Sequence, residues 1–376
     1  MPNQYKAGEY KLHKDYKPFM PSLINTGFEW RTPEIDMLLQ DANSYIGKLN
    51  AYSDLIPDID FFIKMYAVKE ATTSNRIEGT RTTFDEAVTP EENISLERRY
   101  DWQEVQNYIL ASNSSIKRLE ELPLSIRLLK ESHKILLQGV RGKNKDPGEI
   151  RKTQNWIGGS SLLDAYFIPP EPNDLPELLT DLEKFLHNEN LLIPDLIKAG
   201  IAHYQFETLH PFLDGNGRVG RLLIILYLVE RKILNKPVLY ISYFFEKHRS
   251  SYYDALSLVK TSNNLEQWLK FFLNGVIDTA QDSINTFDKI TKLRKDCEAK
   301  VISISQKSQR RLEFLSLLYS KPTLSVKDVC KAFDISTPAG NKLVKDFVDI
   351  GILREKTGLK RNRYFVFEEY LNIFRV

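Results

Sequence analysis

Apolar residues recur at three- and four-residue spacing over 33–52, 58–78, 95–120 and 124–139, the periodicity of helices that bury one face. The pattern resumes over 174–188 and 194–209, the latter starting beside Pro194 as a first-turn proline would. A strongly apolar helix is predicted over 217–232, then helices near 246–260 and 264–285 and a charged helix over about 285–306. The first 30 residues carry Pro, Gly and aromatics without periodicity and read as an extended arm packed on the body. One interruption stands out. Residues 156–172 (WIGGSSLLDAYFIPPEP) combine Gly-Gly, a short β-prone run and Pro-Pro, which predicts an irregular hairpin or flap.

Beyond 306 the character changes. A helix over 309–320 is followed by LSVKDVCKAF and DISTPAGNKLVKDFVDIGIL, which read as helix-turn-helix. LREKTGLKRNRYFVF then reads as two strands around a basic turn, completing a winged-helix pattern. The 376 residues suffice for two or three domains with sizeable cores, and no internal repeat is visible. A net charge of +2 gives no whole-chain argument for nucleic acid or membrane binding. Cys297 and Cys330 show neither a disulfide framework nor metal spacing, which fits a reducing compartment. The N-terminus lacks an apolar signal core, and the apolar run at 222–229 is far shorter than a membrane span of roughly 20 residues. The expectation is a cytoplasmic protein without membrane contact.

The chemistry concentrates in His210-Pro211-Phe212-Leu213-Asp214-Gly215-Asn216-Gly217-Arg218-Val219-Gly220-Arg221. Pro211 disfavours helix for the residue before it, so His210 is expected at a helix end, its imidazole pointing out as a general base. Phe212 and Leu213 are expected to anchor the loop in the core. Gly215 and Gly217 can take positive φ, and their N–H groups with the next helix N-terminus form an anion nest for phosphates. Asp214 beside such a nest would repel phosphate unless a cation such as Mg²⁺ intervenes. Arg218 and Arg221, three apart, point at the same anion. Nine specified residues within twelve recur by chance about once in 10¹² positions.

The run His-Pro-Phe-x-Asp-Gly-Asn-Gly-Arg-x-x-Arg resembles the signature of the Fic family, with every fixed position matched. The resemblance extends over about 33–285 and implies a mainly α fold: a helical bundle with a short β-hairpin flap, followed by a C-terminal winged helix-turn-helix. It implies transfer of AMP from ATP to Ser, Thr or Tyr hydroxyls of target proteins and of the protein itself, releasing pyrophosphate. In that reading His210 deprotonates the hydroxyl and Asp214 binds Mg²⁺. The ATP-binding stretch is Asp214, Gly215, Asn216, Gly217, Arg218, Val219, Gly220 and Arg221, with Arg221 on the γ-phosphate. An intact Asp-Gly at 214–215 favours AMP over other transferred groups.

Ser74-Asn75-Arg76-Ile77-Glu78-Gly79 is similar to the family's inhibitory pattern, Ser/Thr-x-x-x-Glu-Gly/Asn. Alone it is weak, with roughly 0.3 chance matches in a chain this long. Its place at the end of a helix upstream of the core strengthens it. A Glu78 carboxylate on Arg221 would occupy the fork meant for the γ-phosphate, while Ser74 is expected to bond the loop near Asn216. The flap (Ile157, Gly158, Gly159, Ile168, Pro169) offers an edge on which an extended target could add a strand. Tyr252 falls where the family places an aromatic against adenine.

His13, His133, His187, His203 and His248 show no metal-ligand spacing, and His203 reads as a packed or bonded core residue. Residues 307–376 carry 14 Lys/Arg against 8 Asp/Glu, with Lys342 and Lys345 on the recognition helix and Lys360, Arg361 and Arg363 in the wing. DNA binding is thus open, but protein contact or target presentation is favoured. The expected division is 1–92 arm and inhibitory region, 93–285 catalytic core, 286–306 linker and 307–376 winged helix. The competing readings are a family enzyme that mainly removes AMP or transfers another nucleotidyl group, and a nucleotide-sensing DNA-binding regulator. A homodimer is a further open partner.

Overall fold

The computed structural model describes residues 3–13, 15–56, 59–304, 309–358 and 363–375. Its arm holds four short strands: β1 (Asn3–Gln4), β2 (Gly8–Tyr10), β3 (Phe19–Pro21) and β4 (Phe28–Glu29). β1 runs parallel to β4 and β2 antiparallel to β3. Tyr5, Ala7, Phe19, Ile24 and Phe28 are buried, which fastens the arm to the body.

Thr32 caps α1 (Pro33–Leu55) by accepting from the Ile35 N–H, and Pro33 stands in its first turn. α2 (Ile59–Ile77) follows, then α3 (Phe84–Ala87), nucleated by a Thr83–Glu86 capping box that the apolar periodicity does not reveal. α4 (Arg99–Arg118), α5 (Ile126–Leu136) and α6 (Leu175–His187) surround α7 (Asp195–Leu209) and α8 (Asn216–Glu230). The last two are buried around nearly their whole circumference, Lys198, His203, Gln205 and Arg221 included. Pro194 sits one place earlier than expected, as the N-cap of α7.

Two expected boundaries differ. The helix near 246–260 is a pair, α9 (Ser242–Lys247) and α10 (Arg249–Ser262), broken at His248, whose ψ of 39° leaves the helical region. The separate helices at 264–285 and 285–306 are one 40-residue helix, α11 (Leu265–Ile304). No proline interrupts it, and buried Thr286, Phe287, Ile290, Cys297 and Val301 carry its inner face past the expected break.

The C-terminal part comprises α12 (Gln309–Ser320), β5 (Thr323–Ser325), α13 (Val326–Phe333), α14 (Thr337–Asp349), β6 (Arg354–Glu355), β7 (Tyr364–Val366) and α15 (Glu368–Phe374). Its strands form an antiparallel sheet ordered β5-β7-β6. Lys360 and Arg361 lie outside the described residues. Among the described helices none is long and apolar enough to cross a membrane. The helical body, the six-residue loop between α7 and α8 and the first turns of α8 position everything that follows.

Candidate active site

α7 ends because His210 adopts the left-handed conformation (φ 46°, ψ 57°) and Pro211 cannot continue the helix. A non-glycine residue held there is strained and needs support. The support is Arg151, which is 2% exposed. Its Nε donates to the His210 carbonyl at 2.9 Å, its other guanidinium nitrogens donate to the Thr153 and Pro170 carbonyls, and its backbone N–H donates to the Pro211 carbonyl. No carboxylate pairs with it among the described residues, and burial pushes its pKa down to about 10. Asn155 adds donations to the His210 and Phe212 carbonyls.

The other side is held by His133. Its Nδ1 accepts from the Gly148 N–H at 2.8 Å, which makes Nε2 the donor to the Asp214 carbonyl at 2.9 Å. Its ring stacks on Phe212 with centroids 3.8 Å apart, and burial lowers its pKa to about 4, so it stays neutral. Asn216 closes the loop by exchanging two 2.8 Å bonds with the Phe212 backbone. Phe212 is buried as expected; Leu213 is only partly so. Gly215 takes positive φ (76°) and caps α8, whereas Gly217 lies within the helix and does not, a correction to the expected pair of positive-φ glycines.

Gly217 matters for another reason. A Cβ there would stand 2.3 Å from Glu78 Oε1. That oxygen accepts from Arg221 at 2.7 Å. Arg221 Nε and a terminal nitrogen also donate to the Ser74 hydroxyl and carbonyl, each at 2.9 Å. Ser74 therefore bonds Arg221 rather than the loop near Asn216, because the long guanidinium reaches α2 before the short Asn216 amide can. Gly79, at φ 92°, ends α2 just after Glu78. Burial pushes the Glu78 carboxyl up, but Arg221 foremost, with Arg218 and His210, more than offsets this and holds it below its ordinary value. Burial would weaken the Arg221 charge, yet Glu78, Tyr252 and Glu207 raise its pKa well above normal.

Arg218 is 5% exposed and only loosely engaged, at 3.4 Å from Asn75, 3.5 Å from Asp214 and 3.8 Å from Glu104. Its buried Nε finds no partner among the described residues, as expected of a donor awaiting an anion. Burial lowers the His210 pKa to about 4, leaving a neutral imidazole, and its Nδ1 lies 3.4 Å from the Glu207 carbonyl. Asp214 Oδ1 accepts from the Gly215 N–H while Oδ2 borders Gly142, and the side chain is 39% exposed. No group of three or more His, Cys, Asp or Glu placed to hold a metal ion exists among the described residues. One accessible carboxylate oxygen beside an anion cradle fits Mg²⁺, which binds through one or two carboxylates plus phosphates and water.

Two titratable groups escaped the sequence reading. Glu207, one turn before His210, has a buried Oε1 with no hydrogen bond among the described residues. Gly220 makes room for it, since a Cβ there would lie 2.3 Å away. Burial raises its pKa to about 7, against the lowering charge of Arg221. Lys260 sits 3.7 Å over the Phe167 ring, and burial lowers its pKa to about 8. Phe167 belongs to the flap, where Ile157 and Phe167 exchange both backbone bonds and Asp164 ties down Ser160 and Ser161 at the tip. Gly158 and Gly159 both take φ 70° at the turn. The Ile168 carbonyl accepts from Phe19 N–H of β3, so the arm already occupies part of that edge ahead of Pro169. Tyr252 is 1% exposed, stacks on Phe245 and bonds His203 through its hydroxyl, so both its ring and its hydroxyl serve the core. The accessible aromatic is its neighbour Tyr253, 42% exposed, because adjacent helical residues point about 100° apart.

Two family models match the chain: Fic/DOC family N-terminal over residues 37–117 and Fic/DOC family over residues 123–228. The chain carries a Fic/DOC domain at residues 123–228. Glu78 lies in the first matched segment and the whole 210–221 loop in the second. A protein adenylyltransferase Fic of Drosophila grimshawi is 29% identical over 191 residues, 48% of this chain and 35% of that protein. A probable protein adenylyltransferase of Aquifex aeolicus is 31% identical over 165 residues, 42% of this chain and 47% of that protein. This chain thus spans less than half the length of each of these relatives. A Fic family protein from Desulfovibrio desulfuricans G20 shares the fold, with a TM-score of 0.57 at 20% identity over 90% of this chain and 96% of that one.

Proposed function

We propose that the protein transfers AMP from ATP to hydroxyl groups of proteins, itself included, and that Glu78 holds this activity down. The observation that carries the reading is geometric: Glu78 Oε1 accepts from Arg221 at 2.7 Å and stands 2.3 Å from where a Cβ on Gly217, in the first turn of α8, would lie, with Arg218 and His210 near enough to act on its charge. A neutral base, two buried arginines and the α8 N-terminus therefore share one small volume.

In this reading the γ-phosphate takes the place of Glu78 on Arg221, and the unpartnered Arg218 Nε faces the phosphate chain. The α8 N-terminus and the Gly215 turn cradle the inner phosphates. Asp214 would hold Mg²⁺, which when bound supplies charge neutralisation at the phosphates. His210 Nε2 takes the proton of the target hydroxyl as that oxygen bonds the α-phosphorus; the bond from α-phosphorus to its bridging oxygen breaks, and pyrophosphate leaves. Arg151 and His133 keep the loop in place by holding its carbonyls. The flap at 157–169 presents backbone to an extended target, and Tyr253 replaces Tyr252 as the aromatic for adenine. We read 1–92 as arm and inhibitory region, 93–285 as catalytic core, 286–306 as a linker formed largely by the end of α11, and 307–376 as a winged helix-turn-helix favouring protein contact. Thr337 and Asn341 of α14 support this, because they line a groove shared with Pro90–Asn93 of the body.

The test is a paired label. Incubating the Glu78→Gly protein with Mg²⁺ and ATP labelled at the α-phosphate should label protein, and ATP labelled at the γ-phosphate should not. Incorporation of the γ-label would replace AMP transfer with phosphoryl transfer.

A further inference from the structure

α2 is the helix that ends in Ser74 and Glu78, and the last helix of the chain packs on it. Phe374 of α15 is 1% exposed. Its ring meets Tyr66 of α2 edge-on at 5.5 Å and stacks on Phe84 of α3 at 6.0 Å. One turn earlier Tyr370 meets Phe62 of α2 at 6.2 Å, and Tyr319 of α12 meets the same Phe62 at 5.3 Å. Arg375 completes the seam with a 2.7 Å ion pair to Asp85 of α3. The C-terminal part therefore grips the polypeptide on both sides of the Ser74–Gly79 segment: at Phe62 and Tyr66 before it, and at Phe84 and Asp85 after it.

The aromatic part of the grip is continuous with the body's core, since Phe62, Tyr66, Tyr319, Tyr370 and Phe374 are all buried in one hydrophobic cluster. A solvent-open pocket of about 250 Å³ borders the seam, lined by Lys69, Thr73 and Arg76 of α2, Phe84 and Asp85 of α3, and Arg375. At the rim, the partly exposed Arg375–Asp85 ion pair closes the seam that holds α15 on α2. Opening it would leave α2 without a wall on the side away from α8, where Glu78 meets Arg221.

We propose that the C-terminal part of the chain serves as the clasp of the inhibitory helix: α15 keeps α2 seated, and loosening α15 lets Glu78 leave Arg221. This rests on the reading that Glu78 restrains AMP transfer. It assigns residues 309–375 a function in setting the enzyme's activity, independent of whatever occupies their exposed face.

The test measures self-labelling by α-labelled ATP in the full-length chain. Asp85→Arg places like charges across the seam and should raise labelling about three-fold, the scale of one exposed ion pair turned repulsive. Adding Arg375→Asp should bring it back towards wild type. Phe374→Leu, which keeps bulk but loses both ring contacts, should raise labelling by up to about ten-fold. In the Glu78→Gly background none of these changes should add anything, because the restraint is already gone. If Glu78→Gly raises labelling while the seam variants do not, the clasp is wrong. If the seam variants change labelling equally with and without Glu78, they act elsewhere and the clasp is again wrong. If Glu78→Gly itself has no effect, the underlying inhibition fails instead.

Discussion

At the residue scale, His210 decides what the site can do. Its pKa is lowered from 6.5 to about 4 by burial, so the folded protein carries a neutral imidazole across the neutral range. Between those two values the folded state binds fewer protons than the unfolded chain, so stability falls as the pH drops through this window. Protonation also removes the base. In Glu78→Gly the lost carboxylate had been raising this pKa, so the window moves no higher. The acid limb of kcat/KM for AMP transfer by that variant should therefore lie near pH 4 and not at the 6.5 of a free histidine. A limb near 6.5 would show that the imidazole is not the desolvated group described here.

The twelve loop residues were legible because their chemistry is contiguous: base, nest and arginines lie within one short run. Arg151 and His133 were not. Each acts through backbone carbonyls 59 to 81 residues away in sequence, and a bond to a carbonyl leaves no residue-type pattern to find. Glu207 carried a readable signal, since it is one helical turn from His210. Tyr252 and Tyr253 could not be told apart by spacing; only the packing of α10 on Phe245 and His203 shows which one is inside.

At the scale of elements, the α7–α8 loop depends on the Arg151 cation, which has no counter-ion among the described residues. Arg151→Ala would strand the His210, Thr153 and Pro170 carbonyls, and Asn155 reaches only the first of them. Of these only Pro170 is buried and left without a donor, which should cost about 1–3 kcal/mol of stability, read as a lower midpoint in urea unfolding. A loss below about 0.5 kcal/mol, the range of ordinary surface changes, would mean that the loop holds its shape without the brace. The helices themselves were legible from apolar spacing. What spacing could not supply was continuity: α11 runs on where a change in surface charge suggested a break, because buried residues persist on its inner face. The short α3 was hidden for the opposite reason, having too few residues to show a period and only a capping box to mark it.

At the scale of the molecule, the proposed function is that of an enzyme whose restraint is built from its own α2 and steadied by its last helix. Contact between α15 and α2, three hundred residues apart, had no local signature. The central claim is that Glu78 occupies the arginine that ATP needs. The most direct measurement is intact-mass spectrometry of three full-length proteins after incubation with ATP and Mg²⁺. Wild type should gain AMP adducts slowly. Glu78→Gly should gain them about 10- to 100-fold faster, the worth of one charge-assisted bond to Arg221. A protein carrying both Glu78→Gly and His210→Ala should fall by about 10²–10⁴ from that rate. Equal adduct formation by wild type and Glu78→Gly, or adducts that survive loss of His210, would contradict the account.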